Sequence, residues 1–428
     1  MYRVTRTLAA AALLALAAAP AARAQHVDVH DVPRRPALWA GADTNSANAY
    51  YLHGVQRVET DPVTAAAAFY WAERLNPGWP DALYARRVAL LMAEPTRLND
   101  YMAGRLYELN KPEVIAIDSL VLRAHQREPF LHSSLEKTLW MAYIRNIYKE
   151  STRESVGSAD AGLAETWLQA DIFNADPSFR AWFDFVSGRY APAIQGFQRT
   201  LRNGHQTTEI RMQLGRAQYL AGQYGEAAVT LADAIARYRA NDRRDIVRLY
   251  QSKAALEFTR AAALEQLGDT AGATQALART LEEDLAFWAA HRRLAQRAAE
   301  RGDAATALSE MALTVELAPQ EADLRYEHAA LLMLANQLDP AVAELQKAIE
   351  LDPWYAQPHY LLALLNDQSG VVPDALDHFH RFLELAPRDD PRRANAEARV
   401  AALSGAAPPA ASTAPAPAPP SAPATPTR

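Results

Sequence analysis

The sequence predicts an all-α fold, an α-solenoid built from stacked helix-turn-helix units, and three observations predict it. Alanine is abundant while only 17 of 428 residues are glycine. Alanine loses no side-chain entropy in a helix, and glycine is confined to punctuation. Small turn residues recur at a fixed period: Gly188, Gly222, Gly268, Gly302, Asn336 and Gly370 are separated by 34, 46, 34, 34 and 34 positions, and 46 is 34 plus an insertion of 12. Around every turn the same residue types return in register. Seven positions before stand Ala181, Gly215, Ala261, Ala295, Ala329 and Ala363, and five after stand Ala193, Ala227, Ala273, Ala307, Ala341 and Ala375. Nine after stand the larger Phe197, Leu231, Leu277, Met311, Leu345 and Phe379.

From the N-terminus, Arg3 and Arg6 give a positive start and Leu8 to Ala19 is an apolar run of twelve. Ala22 and Ala24 then supply the small residues that a signal peptidase requires. The run is too short to cross a hydrocarbon core of roughly 30 Å, which needs about 20 residues. Residues 1–24 therefore read as a cleaved leader, with a periplasmic or secreted product and no later transmembrane span. Residues 25–43 form an N-terminal extension, in which His26 and His30 belong to a disordered start, the alternatives being a shared helix face or a loosely bound metal. The chain has no cysteine, so no disulfide, thiolate metal site or lipid-modified cysteine is possible.

Residues 44–173 follow the repeat loosely. Ala65, Phe69, Ala72 and Pro77 have the spacing of a second helix and its terminating proline. Pro80 to Ala93 and Asn99 to Leu109 read as a further pair. Ser133 caps a helix to about Lys149, with Leu135, Leu139, Trp140, Tyr143, Ile144, Ile147 and Tyr148 at helical spacing. A polar loop, Glu150 to Asp160, and a partner helix, Leu163 to Phe173, complete a divergent unit or a separate helical insert.

Residues 174–390 hold six regular units. Each position has a physical reason: antiparallel helices approach closely where small side chains face each other, and a large apolar side chain fills the gap toward the next pair. Glycine or asparagine at the turn tolerates positive φ, and Pro319, Pro353 and Pro387 cannot continue a helix. The insertion of 12 lies between Tyr238 and Phe258. Since Arg243 to Leu267 contains neither proline nor glycine, it predicts a first helix lengthened by about three turns. Pro391 to Leu403 reads as a polar-faced capping helix within 391–405. Residues 406–428 carry 8 of the 26 prolines and a single charge, Arg428, the composition of a semi-extended tail.

This pattern resembles the tetratricopeptide repeat, clearly over about 174–390 and in degraded form before it. The resemblance implies a right-handed superhelix of about 7–9 units that binds another protein or peptide on its concave side, formed by the first helix of each pair. Matching positions include Ser178, Met212, Ala262, Gln296, Ala330 and Leu364, and the candidate partner-binding residues are Trp182, Phe185, Arg216, Tyr219, Phe258, Arg292, Tyr326, Met333 and Tyr360. Chaperone-binding members carry lysine and asparagine there to clamp a terminal carboxylate. The aromatic and aliphatic stripe here suits an apolar helix or extended segment, although each position also serves packing between neighbours.

The rest of the sequence argues against chemistry. The formal charge of −6, from 44 basic and 50 acidic residues, includes no basic stripe for nucleic acid. No phosphate-cradling glycine loop or nucleophile elbow occurs. His378 and His380 point apart on a helix, which disfavours a shared metal, and Arg279 reads as a convex-face residue. The expectation is a scaffold or assembly factor of the bacterial envelope, with no cofactor and no catalysis. The alternatives are an envelope enzyme with its active site in 111–177, where Glu136 and His132 lie one helical turn apart, and a spacer.

Overall fold

The computed structural model describes residues 27–103, 106–131, 133–152, 177–204, 208–240 and 252–405. Among them every regular element is an α-helix. The first pair is α1 (Ala47–Arg57) and α2 (Pro62–Leu75). Ser46 caps α1 by accepting from the Ala49 N–H, and Asp61 caps α2 by accepting from the Thr64 N–H. Phe69, Ala65 and Ala72 are fully buried between them.

Next come α3 (Pro80–Met92), α4 (Pro95–Met102), α5 (Leu106–Leu109) and α6 (Lys111–Arg127). The pair expected from Pro80 to Leu109 is corrected here. The stretch from Asn99 is broken between α4 and α5, and α3 packs against α2 and α6 far more than against α4. Val114, Ile117, Leu120, Val121 and Ala124 give α6 a buried stripe at helical spacing, which the short α4 and α5 lack. Helix α7 (Leu135–Thr152) follows, with the Ser133 hydroxyl accepting from the Leu135 N–H and Leu139 and Ile144 buried. Most of the expected polar loop and its partner helix at 163–173 lie outside the described residues.

The regular units are α8 (Pro177–Val186) with α9 (Tyr190–Arg202), α10 (Thr208–Leu220) with α11 (Tyr224–Ala240), and α12 (Lys253–Gln266) with α13 (Thr270–Glu283). They continue as α14 (Trp288–Glu300) with α15 (Ala304–Leu317), α16 (Ala322–Leu334) with α17 (Leu338–Leu351), and α18 (Ala356–Gln368) with α19 (Val372–Leu385). Helix α20 (Arg393–Leu403) covers the last pair. Every repeat turn has positive φ, from 57° at Asn336 to 78° at Gly222. The alanines five positions later are all buried, none above 1% exposed. At Gly215 an added Cβ would lie 2.8 Å from Leu231 Cγ, so the helix crossing has no room for a side chain.

The insertion does not lengthen α12 in the expected way. Ser252 is extended (φ −66°, ψ 162°), and its side chain accepts from the Ala255 N–H, so the helix begins at Lys253. A serine hydroxyl that satisfies a first-turn amide competes with helix continuation. Residues 241–251 lie outside the described residues.

The two ends of the array also touch. The Arg74 guanidinium reaches Asp352 at 3.1 Å, and Trp71 meets Trp354 edge-on at 5.4 Å. Arg35 lies 5.0–5.2 Å from the rings of Tyr50, Trp71 and Trp354. Asn45 donates to the Glu384 carbonyl at 2.6 Å, and Asp43 accepts from the Arg388 N–H at 2.6 Å. Open solenoids have contacts only between neighbours. Here residues 35–74 bridge to residues 351–388.

Candidate functional site

The first helices of the regular units face residues 123–131, which come from the divergent N-terminal half. Arg127 is 7% exposed and donates to both carboxylate oxygens of Asp323, at 2.9–3.2 Å, and to Glu321 at 2.7 Å. Arg123, one helical turn earlier, donates to both oxygens of Glu321 at 2.6 and 2.8 Å and to Glu73 at 3.1 Å. Burial alone pushes Glu321 up, but Arg123 and Arg127 outweigh it and hold the carboxyl below the usual range. The Arg127 guanidinium also lies 5.1 Å from the Trp288 ring. Gly78, at φ +77°, lets the α2–α3 turn approach here, since a Cβ would strike the Asp323 carboxylate.

Pro129 follows the end of α6 at Arg127 and turns the chain so that Phe130 enters the array. The Phe130 ring stacks on Tyr219, with centroids 3.4 Å apart and planes within 3° of parallel. Phe130 belongs to the same buried cluster as Phe258, Ala262, Leu264 and Trp288. Arg216 donates to the Leu131 carbonyl at 3.2 Å and packs over Phe185 at 5.4 Å. His125 Nδ1 is 2.9 Å from the Val121 carbonyl, and its Nε2 faces Arg216 at 3.5 Å. With Nδ1–H donating to the carbonyl, Nε2 is left to accept from the guanidinium. Burial, then Arg216, pushes His125 down to about 3.

The candidate residues thus divide into three groups. Arg216 and Tyr219 meet Leu131 and Phe130, and Phe258 shares the buried cluster of Phe130. Phe185 supports Arg216. The remainder meet other elements. Trp182 packs on Trp140 of α7 at 4.2 Å, and Arg292 pairs with Glu327 of the next unit. Tyr326 meets Tyr355 at 5.5 Å, and Met333 joins the cluster of Leu332 and Leu345. Tyr360 donates to Asn395 at 3.0 Å and lies beside Phe382.

Sequence reasoning missed Glu321, Asp323 and Trp288 on the array and the whole of Arg123 to Leu131. The available signal was two arginines one helical turn apart, followed by a proline and an aromatic residue. Glu136, weighed as a catalytic acid, accepts from Trp140 Nε1 at 3.1 Å and faces Arg87 at 3.9 Å, while His132 lies outside the described residues. His378 Nδ1 is 3.0 Å from His359 Nδ1, and no cluster of three metal-ligating side chains occurs among the described residues. No described helix is long and apolar enough to cross a membrane.

The period, the turn conformations and the buried crossings together define an α-solenoid of helix pairs that resembles the tetratricopeptide-repeat proteins. No protein-family profile and no curated protein matches the chain. Similar solved structures include the C-terminal part of a TPR repeat-containing protein from Cytophaga hutchinsonii, 16% identical with a TM-score of 0.42, covering 53% of this chain and 83% of that one. Yeast Tom70 is 13% identical with a TM-score of 0.37, covering 84% of this chain and 89% of its own. The double mutant of MamA RS-1 is 20% identical with a TM-score of 0.35, covering 42% and 93%.

Proposed function

We propose that the chain is a non-catalytic protein-interaction scaffold whose concave face grips a peptide or helix of a partner protein. One observation carries this reading. The face already holds a segment from a distant part of the chain through the means that protein interfaces use: an aromatic ring in a desolvated pocket, a guanidinium on carboxylates and a fixed backbone carbonyl. The charged side chains there are engaged with one another, an arrangement suited to recognition. The leader-like pattern of residues 1–24 supports a place in the bacterial envelope, as a periplasmic or secreted assembly factor. The balanced charge supports a protein partner over nucleic acid.

The test is affinity purification from an envelope fraction with the full chain as bait, followed by pull-down of the recovered partner with variants of this chain. Tyr219→Ala and Tyr326→Ala should each cost about 2 kcal/mol of affinity, while Glu316→Ala, exposed on α15, should cost little. Helical, stable variants that bind as well as the parent would move the site off the concave face.

A further inference from the structure

We infer that residues 123–131 are a resident ligand of the groove, and that the partner it accepts carries the same chemistry: an arginine followed three residues later by an aromatic residue. The inference deepens the scaffold reading and rests on it. The receptor half of the contact is built from first-helix residues of successive units: Arg216 and Tyr219 on α10, Phe258 on α12, Trp288 on α14 and Asp323 on α16, with Glu321 as the cap residue before α16.

What each feature demands follows from elementary electrostatics. Glu321 and Asp323 stand two residues apart with side chains 12% exposed. Two carboxylates sharing a desolvated site repel, and the start of a helix offsets only part of that cost. The cup therefore requires a cation, and Arg127 supplies one in bidentate geometry. Three residues on, Phe130 covers the face of Tyr219, and one further on the Leu131 carbonyl satisfies Arg216. If the segment left without replacement, Glu321 and Asp323 would lose the guanidinium groups that neutralise them, Arg216 a backbone carbonyl and Tyr219 its stacked ring. A displacing partner must restore them, which fixes its chemistry as a basic residue, an aromatic three positions later and an exposed backbone carbonyl beside it. Because the resident segment is tethered, it competes at high effective concentration, and an external ligand binds the parent protein weakly.

The probe is a fluorescein-labelled synthetic peptide of residues 121–131 of this chain, titrated into the full-length parent and into Phe130→Ala, with anisotropy as readout. Phe130→Ala should bind the peptide on the order of tenfold more tightly than the parent. Adding Asp323→Asn or Tyr219→Ala to Phe130→Ala should remove that gain. A Phe130→Ala protein that keeps its helical signal and binds no more tightly than the parent overturns the inference, as does a gain insensitive to both groove changes. Should Phe130→Ala fail to fold, hydrogen exchange of the parent decides. Exchange of residues 123–131 ahead of α14 and α16 supports a displaceable ligand, and exchange only together with them shows a fixed part of the core. The scaffold reading fails separately: it is lost if the natural partner ignores Tyr219→Ala, whereas a partner that needs Tyr219 but lacks the basic-aromatic pair overturns this inference alone.

Discussion

Phe130 lies flat on Tyr219, 3.4 Å between ring centroids, although 89 positions separate the two in the chain. The contact joins the irregular N-terminal half to a first helix of the regular array. Phe130→Leu keeps most of the volume but loses the stack, and should destabilise by about 1 kcal/mol. Phe130→Ala also leaves a cavity and should cost about 3 kcal/mol or more. Hydrogen exchange resolved by segment is the suitable measurement. Faster exchange in α6 and α10 is expected, with α18 and α19 unchanged.

The crossings of the array have no spare volume. Ala307 is 1% exposed, and Ala307→Leu should overpack the contact and cost about 1 to 3 kcal/mol. Thermal melts followed by circular dichroism check this, with Glu316→Ala on the exposed side of the same helix as the silent control. Arg279, read from the sequence as a convex-face residue, is unsuitable for that purpose because it lies 3.3 Å from the buried Glu257 carboxylate.

The contact between the ends should respond to pH. Burial pushes Asp352 up to about 7, against the pull of Arg74 and of the Trp354 N–H. The folded state thus holds the proton more tightly than the unfolded chain, whose carboxyl titrates near 3.8. The associated stability is fully present below that lower value and is lost as pH rises toward 7. Relative to Asp352→Asn, the parent should melt at progressively lower temperature as pH is raised from about 4 to about 8. Parallel curves for the two proteins would remove Asp352 from the account.

His125 should act in the opposite direction. Its folded value near 3 lies below the ordinary 6.5, so the stability it contributes is present above 6.5 and is lost as pH falls from there toward 3. Protonation of Nε2 would place a second cation against Arg216 and loosen residues 123–131. His125→Gln should flatten the acid limb of the stability profile. An unchanged acid limb would show that the imidazole is not the titrating group.

Much of the fold was legible because a period of 34 is a local property repeated many times. The alanines, turn glycines and large apolar residues each occupy the place that the spacing assigns. The start of α12 is set by Ser252, a capping residue just before an apolar run, and the absence of proline and glycine from 243–267 does not report it. The pairing of α3 with α6 was obscured because α4 and α5 intervene. The segment at 123–131 carried only a local hint, two arginines one helical turn apart before a proline and an aromatic residue, and nothing that points to its partner: Arg127 and Asp323 are 196 positions apart. The same limit hid the contacts of Arg74 and Asn45 with the last units. Contacts of that range are fixed by the curvature of the whole array, which no window of sequence encodes.

The most direct measurement exploits the absence of cysteine. Phe130→Cys and Tyr219→Cys introduced together give a full-length protein with two thiols, to be treated with a short bismaleimide and digested. An intramolecular cross-link should form in high yield in the native protein and vanish in urea. Two freely alkylated thiols with no cross-linked product, in a protein of native helical signal, would contradict the seating of this segment against the first helices of the array.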